Sequence, residues 1–403
     1  MIRIDNIEIL GIGPFDELKI NFNDFFNIIC GPNGVGKTTL LECLGHSFAR
    51  GRTDILTRNA KYKEGMWRLH ATTDEGSIER EYTLNRFYPY DLKEFSTNGR
   101  YLIENAKEIL VFKTRRTYNY LQLESVRSDP QKQGARVADE AQAGTISDEI
   151  KQWFVNRYMW SAHEGQLDKN QRRNFELAKD CFSWLDEEIT FKQVESNTLD
   201  ILLTTRLGEV YFEYFSSGYK SCLAVMLGLI KDIEFRFKNP TLAVQDFAGV
   251  VLIDEIDLHL HPEWQATIYK AIKKILPKAQ IFVTTHSPHI IQVAEPQEII
   301  ALNFDDKGKV VVRELPQNEY GYQGWTLEEI LRDVMGLKET RSEQYRTTIQ
   351  AFEEALAEEN YGAAMEAYTT LKKMLHDENH LGKLLRLQMA GLRGEKNDQA
   401  HEI

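Results

Sequence analysis

Ile28-Ile29-Cys30-Gly31-Pro32-Asn33-Gly34-Val35-Gly36-Lys37-Thr38-Thr39-Leu40-Leu41 is the stretch on which the rest of the chain turns. Residues 25–30 form a short apolar run, the pattern of a buried strand. Residues 31–38 fit G-x-x-x-x-G-K-[ST] in full. Leu40, Leu41, Cys43, Leu44 and Phe48 then recur at helical spacing. Each residue type has a physical use here. Glycines let the backbone curl until successive N–H groups point inward at phosphates, and the helix that follows adds its positive end. Lys37 places a point charge on the outer phosphates, and the hydroxyl of Thr38 is a ligand for Mg²⁺. Asn33, Gly34, Val35, Gly36, Lys37, Thr38 and Thr39 are the expected phosphate contacts. The strand before and the helix after set this loop apart from a plain glycine turn.

A second decisive segment lies far downstream. Val250-Val251-Leu252-Ile253-Asp254-Glu255 is an apolar strand ending in two carboxylates. Such a strand belongs in a parallel sheet covered on both faces, and open α/β sheets bind ligands at the carboxyl ends of their strands. Asp254 is expected to hold Mg²⁺ and Glu255 to polarise an attacking water. His259 and His261 follow, but zinc sites usually need four ligands and no cysteine or further histidine is near in sequence, so a structural role beside the nucleotide is expected.

The remaining chain sorts by periodicity. Strands with a hairpin at Asp74-Glu75-Gly76 fill residues 60–112, and residues 109–112 read as another buried strand. Residues 124–145 are polar and poor in large apolar side chains, so a mobile loop is expected there. Residues 146–185 read as helices, residues 199–214 as a hairpin, and 221–230 as a long apolar helix. Strands at 279–287 and 309–314 flank the last α/β elements, and helical patterns carrying both charge signs fill the tail. The expected organisation is residues 1–123 and 189–318 as two halves of one α/β head, 124–188 as a loop and helical insertion, and 319–403 as a helical region.

Composition bounds the rest. Of 403 residues, 42% are hydrophobic and 27% charged, ordinary for a globular protein with a large core. Cys30, Cys43, Cys181 and Cys222 form no CxxC pair, so neither a zinc ribbon nor a disulfide framework is expected. No apolar run reaches the roughly 18–20 residues a bilayer requires. The N-terminus alternates like a strand, unlike a signal peptide, and a cytoplasmic location is expected. A net charge of −12 argues against nucleic-acid binding over the whole surface. The clusters Lys113, Arg115, Arg116 and Arg172, Arg173 could still meet DNA locally.

VLIDEIDLHLHPEWQ, with TTHSPHII about thirty residues on, resembles the ABC-type ATPases of the RecF, SMC and OLD group. The opening IRIDNIEILGIGPFDELKINF is similar to their N-terminal strands. The likeness covers residues 1–55 and about 190–300 well, and the middle and tail poorly. It implies a P-loop NTPase fold of the ABC ATPase head kind, with a β-rich subdomain, a short helical insertion and a helical tail. It also implies ATP and Mg²⁺, and composite sites closed by a second copy in a homodimer or higher homo-oligomer. Phe215-Ser216-Ser217-Gly218-Tyr219-Lys220 stands where that family has L-S-G-G-Q, departing at three positions. By resemblance Ser216 and Gly218 reach the γ-phosphate held by the other copy. Read alone, the same residues are a plain helix cap.

The resemblance further gives His286 a bridge to the γ-phosphate and places Asp257 at the dimer seam. It offers Gln122 as a Mg²⁺-sensing glutamine. Nuclease members of the OLD group add a Toprim domain with an acid-rich D-x-D strand end. Residues 310–403 have mostly helical pattern, and Asp305-Asp306 sits in a turn, so no nuclease is expected in this chain. Size and tail are similar to the stand-alone ATPase subunits of Septu-type anti-phage systems, whose partner is an HNH nuclease. The alternative is a RecF- or SMC-like repair ATPase that clamps DNA. A nucleotide-gated scaffold with negligible turnover is a third reading, against which Glu255 argues.

Overall fold

The computed structural model describes residues 1–50, 53, 55–88, 101–115, 120–145, 147–316 and 319–399, with side chains to residue 392. In chain order, β1 (Arg3–Ile12), β2 (Phe15–Asn21) and β3 (Phe26–Cys30) lead into α1 (Lys37–His46). β4 (Gly65–Thr73), β5 (Gly76–Leu84) and β6 (Ile109–Phe112) follow, then α2 (Ala135–Ala143), α3 (Glu149–Ser161) and α4 (Lys169–Asp180). β7 (Thr190–Val194), β8 (Ile201–Thr205) and β9 (Gly208–Tyr211) precede α5 (Ser217–Arg236), β10 (Val250–Ile253), α6 (Pro262–Ile275), β11 (Gln280–Thr284) and α7 (Pro288–Val293). β12 (Ile299–Phe304), β13 (Val310–Val312) and α8 (Leu327–Glu329) close the larger unit. α9 (Glu343–Ala357), α10 (Tyr361–Met374) and α11 (His380–Gln399) form the smaller one.

The central sheet has the order β13-β12-β3-β11-β10-β6. Its four inner pairings from β12 to β6 are parallel, and β13 adds an antiparallel edge. Side chains of a strand point alternately to opposite faces, and the two cores follow that period. Ile28, Leu110, Val251, Ile253, Ile281 and Val283 enter one apolar core with α5 and α6. Ile29, Ile109, Val111, Val250, Leu252 and Phe282 enter the other with α1 and the antiparallel sheet β2-β1-β4-β5. Burial on both faces explains why these strands read as unbroken apolar runs. All the parallel strands therefore end at one edge, where the loops after β3, β10 and β11 meet. A third, antiparallel sheet, β7-β8-β9, precedes α5.

One expectation fails. Residues 124–145 are not simply a polar loop, because α2 lies within them. Val137, Ala138 and Ala141 are buried, and the Ala141 carbonyl packs on Gly45 of α1 so closely that an added Cβ would lie 2.8 Å away. The charges that made the segment read as solvated are neutralised inside. Lys132, fully buried, meets Asp232 at 2.5 Å, Glu140 at 2.8 Å and Glu149 at 2.9 Å. Arg236 pairs with Glu140 at 2.8 Å. Buried charge is tolerable when paired in this way.

The larger unit spans Met1–Gly336 and the smaller Leu337–Ile403. Residues 319–336 therefore go with the head: Tyr322, Ile330, Val334 and Met335 enter the α5–α6 core. The smaller unit has its own core of Phe352, Ala355, Ala364, Leu371, Leu385 and Met389. No helix among the described residues is long and apolar enough to cross a membrane.

Candidate functional site

The loop after β3 turns back at Gly36, the residue that caps α1, with φ of +100°. A Cβ there would stand 2.5 Å from the Phe15 ring and 2.8 Å from Pro14, so only glycine fits both the backbone and the space. Asn33 and Gly34 are exposed on the loop rim, Val35 is buried, and Thr39 is half-buried. Lys37 is 7% exposed. Its ammonium donates to the carbonyls of Gly31 at 2.9 Å and Pro32 at 3.1 Å, and it makes no ion pair among the described residues. Burial pulls its pKa down, opposed by Cys30 and then by Glu255, Asp254 and Asp257. Burial pushes the neighbouring Cys30 thiol up to about 12, so this cysteine stays protonated.

The end of β10 faces the start of α1. Thr38 donates its hydroxyl to Asp254, 3.1 Å from Oδ1 and 3.2 Å from Oδ2. Asp254 is 6% exposed and also accepts from Thr284 at 2.6 Å. Thr284 in turn accepts the amide of Glu255 at 2.6 Å. Glu255, half-buried, has a left-handed backbone with φ of +46°. One turn further, Asp257 accepts from Thr285 Oγ1 at 2.6 Å and from the His286 amide at 3.2 Å. His286 itself is exposed. Packing on its inner side and then the charge of Lys37 hold its pKa below the usual histidine value, against the pull of three nearby carboxylates.

Thr38, Asp254, Glu255, Asp257 and His286 are thus joined through two threonines that sequence reasoning missed. Thr284 and Thr285 stand directly before His286, and the doubled threonine at the end of an apolar strand was the available signal. The donor set fits the ligands the fold implies. A hydroxyl and a carboxylate side by side are hard oxygen donors suited to Mg²⁺. A buried ammonium held only by carbonyls is suited to an anion, and nothing lies within 4 Å of where a Cβ of Gly34 would stand on the loop rim.

Ser216 and Gly218 stand elsewhere in the chain, at the start of α5. Ser216 is exposed and caps the helix, accepting from the Tyr219 amide at 3.2 Å. Gly218 is buried, with the His259 carbonyl 2.5 Å from where its Cβ would be. Among the described residues no hydrogen bond joins either one to the phosphate loop. Phe215 stacks on Tyr219 at 4.7 Å, and Tyr219 meets Trp264 edge-on at 5.9 Å. The start of α5 is therefore fixed to the turn that follows β10.

Gln122 is exposed and has no part in this hydrogen-bonded ladder. No group of three or more His, Cys, Asp or Glu suited to hold a metal occurs among the described residues. The basic clusters are largely engaged within the chain. Lys113 pairs with Glu42, Arg172 donates to the Leu167 carbonyl at 3.2 Å, and Arg173 bonds Gln245 and lies 4.0 Å from Asp246. Arg115 is exposed, and Arg116 lies outside the described residues.

A parallel sheet with this loop, this acidic strand end and this histidine defines a P-loop ATPase domain. Residues 26–292 match the family model described as "AAA domain, putative AbiEii toxin, Type IV TA system". A Septu protein PtuA from Bacillus thuringiensis is 47% identical over 392 residues, 97% of this chain and 98% of that one. A retron Ec83 probable ATPase from Escherichia coli is 29% identical over 166 residues, 41% of this chain and 29% of that one. Among solved structures, an SMC head bound to the C-winged helix domain of ScpA covers 78% of this chain and 98% of its own at 16% identity, with a TM-score of 0.49. The chain belongs to this AAA-domain family and, within it, to the family of the Septu protein PtuA.

Proposed function

We propose that the chain hydrolyses ATP at sites shared between two copies of itself and, through that cycle, regulates a partner nuclease of the HNH type in bacterial anti-phage defence. The observation that carries the enzymatic reading is the ladder from Thr38 through Asp254 and Thr284 to Glu255. It brings a hydroxyl–carboxylate pair, suited to Mg²⁺, to the edge of the sheet and holds the backbone amide of Glu255 beside it. In this reading Lys37 and the loop amides hold the β- and γ-phosphates, and Thr38 and Asp254 hold Mg²⁺. The metal, when bound, neutralises charge on the phosphate oxygens. Glu255 accepts the proton of the attacking water. His286, kept neutral, orients on the γ-phosphate, and Asp257 anchors its backbone. Ser216 closes the pocket of the other copy with an exposed hydroxyl and the positive end of α5. Most of the rate enhancement then comes from positioned charge.

The defence role rests on the likeness to the Septu protein along nearly the whole chain, and the nuclease partner on the system that likeness implies. Two inactive variants test the shared site. Lys37→Ala spoils the cradle, and Ser216→Arg spoils the lid. Each alone should release no phosphate from ATP. Mixed in equal amounts, they should recover about a quarter of wild-type turnover, because half of the pairs carry one intact site. A mixture as inactive as its parts would defeat the two-copy reading. Co-purification from the native operon tests the partner: an HNH protein should travel with the chain.

A further inference from the structure

α11 carries large apolar side chains on two faces. Leu385, 2% exposed, and Met389, 6% exposed, enter the core of the smaller unit. Leu384 and Leu387 are instead 56% and 68% exposed. At about 100° per residue they share a stripe with Lys383, Ala390 and Gly391, all of them exposed. Single exposed leucines are ordinary, but a second apolar face with small residues beside it is built for packing another helix. A cleft of about 470 Å³ lies alongside, between α10 and α11. Lys372, Lys383, Arg386 and Tyr368 line it, and Asp377 is the only carboxylate among the described lining residues. Lys372, Lys383 and Arg386 enter no ion pair among those residues, although the whole chain carries a net charge of −12.

We propose that this face docks an acidic amphipathic helix of a different polypeptide. Its apolar side chains would cover Leu384 and Leu387, and its carboxylates would enter the cleft against Lys372, Lys383 and Arg386. Nucleic acid would satisfy the cations but leave the leucines in water. A second copy of this chain fits less well. The acid-rich helix α9 buries Phe352 and Ala355 in its own core and presents no large exposed apolar residue among those described. The proposal does not depend on the nucleotide site.

The probe is a fluorescein-labelled helical peptide of about 20 residues, roughly 30 Å long, with leucines along one face and glutamates beside them. Binding to the full chain is read by fluorescence anisotropy. The peptide should bind, and Lys383→Glu/Arg386→Glu and Leu384→Ser/Leu387→Ser should each weaken it at least about tenfold. The same peptide with lysines for glutamates should fail to bind. All four positions are exposed, so an unchanged melting temperature and unchanged ATP affinity should show both variants folded. Three results would overturn the proposal: no binding of the acidic peptide, equal binding of the basic one, or tighter binding of a DNA duplex that the charge-reversal variant abolishes. Loss of self-association in the leucine variant, with no peptide bound to wild type, would assign the face to a second copy instead.

Discussion

The hydroxyl of Thr284 stands 2.6 Å from Oδ1 of Asp254. A hydroxyl has one hydrogen to give and lone pairs to receive, and Thr284 uses both, donating to Asp254 and accepting the amide of Glu255. Thr284→Val keeps the shape and removes both bonds. It should cost about 1–3 kcal/mol of stability, the price of a buried polar group losing its partner. Turnover should fall at least about tenfold while ATP affinity measured without Mg²⁺ stays near wild type. Thr284→Ser should retain most of both properties. Thermal melts and phosphate-release assays on the two variants decide it.

Gly36→Ala should abolish nucleotide binding. Alanine at φ of +100° is strained, and its methyl would press on Phe15 and Pro14. Strain of this kind costs about 1–3 kcal/mol, so the melting temperature should fall as well. Titration with a fluorescent ATP analogue, beside a melt of the same sample, separates the two effects.

His286 should be neutral at neutral pH. Burial and Lys37 both lower its pKa, so the unfolded chain takes up a proton at higher pH than the folded one. The stability it contributes is complete above the ordinary histidine pKa of about 6.5 and is lost as pH falls through the lower folded value. Its exposure keeps that contribution small. The imidazole NMR titration should show a midpoint below 6.5, and Lys37→Met should move it upward.

Lys132→Met should destabilise the protein by about 3–5 kcal/mol, the usual result of removing one partner from a buried charge cluster. Asp232 would lose its shortest ion pair and Glu140 one of its two shortest. Hydrogen exchange should quicken most across residues 132–149. Adding Asp232→Asn should restore part of the loss, because the second change removes the carboxylate that the first left behind.

The loop after β3 and the strand β10 could be read in advance because their signals are local. A phosphate loop needs its glycines, lysine and threonine in one short run, and β10 announces itself by four apolar residues followed by two acids. Thr284 and Thr285 escaped because their value lies in contacts with Asp254 and Asp257, about thirty residues away. α2 escaped for a related reason. Lys132 and Glu140 look like solvent-seeking residues until Asp232 and Arg236, about a hundred positions on, come into contact with them. The γ-phosphate role proposed for Ser216 comes only from family likeness; on its own the residue reads as a helix cap, and it does cap that helix.

Glu255 sits in a left-handed backbone conformation that disfavours most residues with a side chain, by roughly 1–2 kcal/mol relative to an ordinary one. Glycine or asparagine would rest there more comfortably. Heat-tolerance screening would therefore drift toward Glu255→Gly or Glu255→Asn, discarding the very acid on which turnover is proposed to depend. Robustness and reactivity pull in opposite directions at this position.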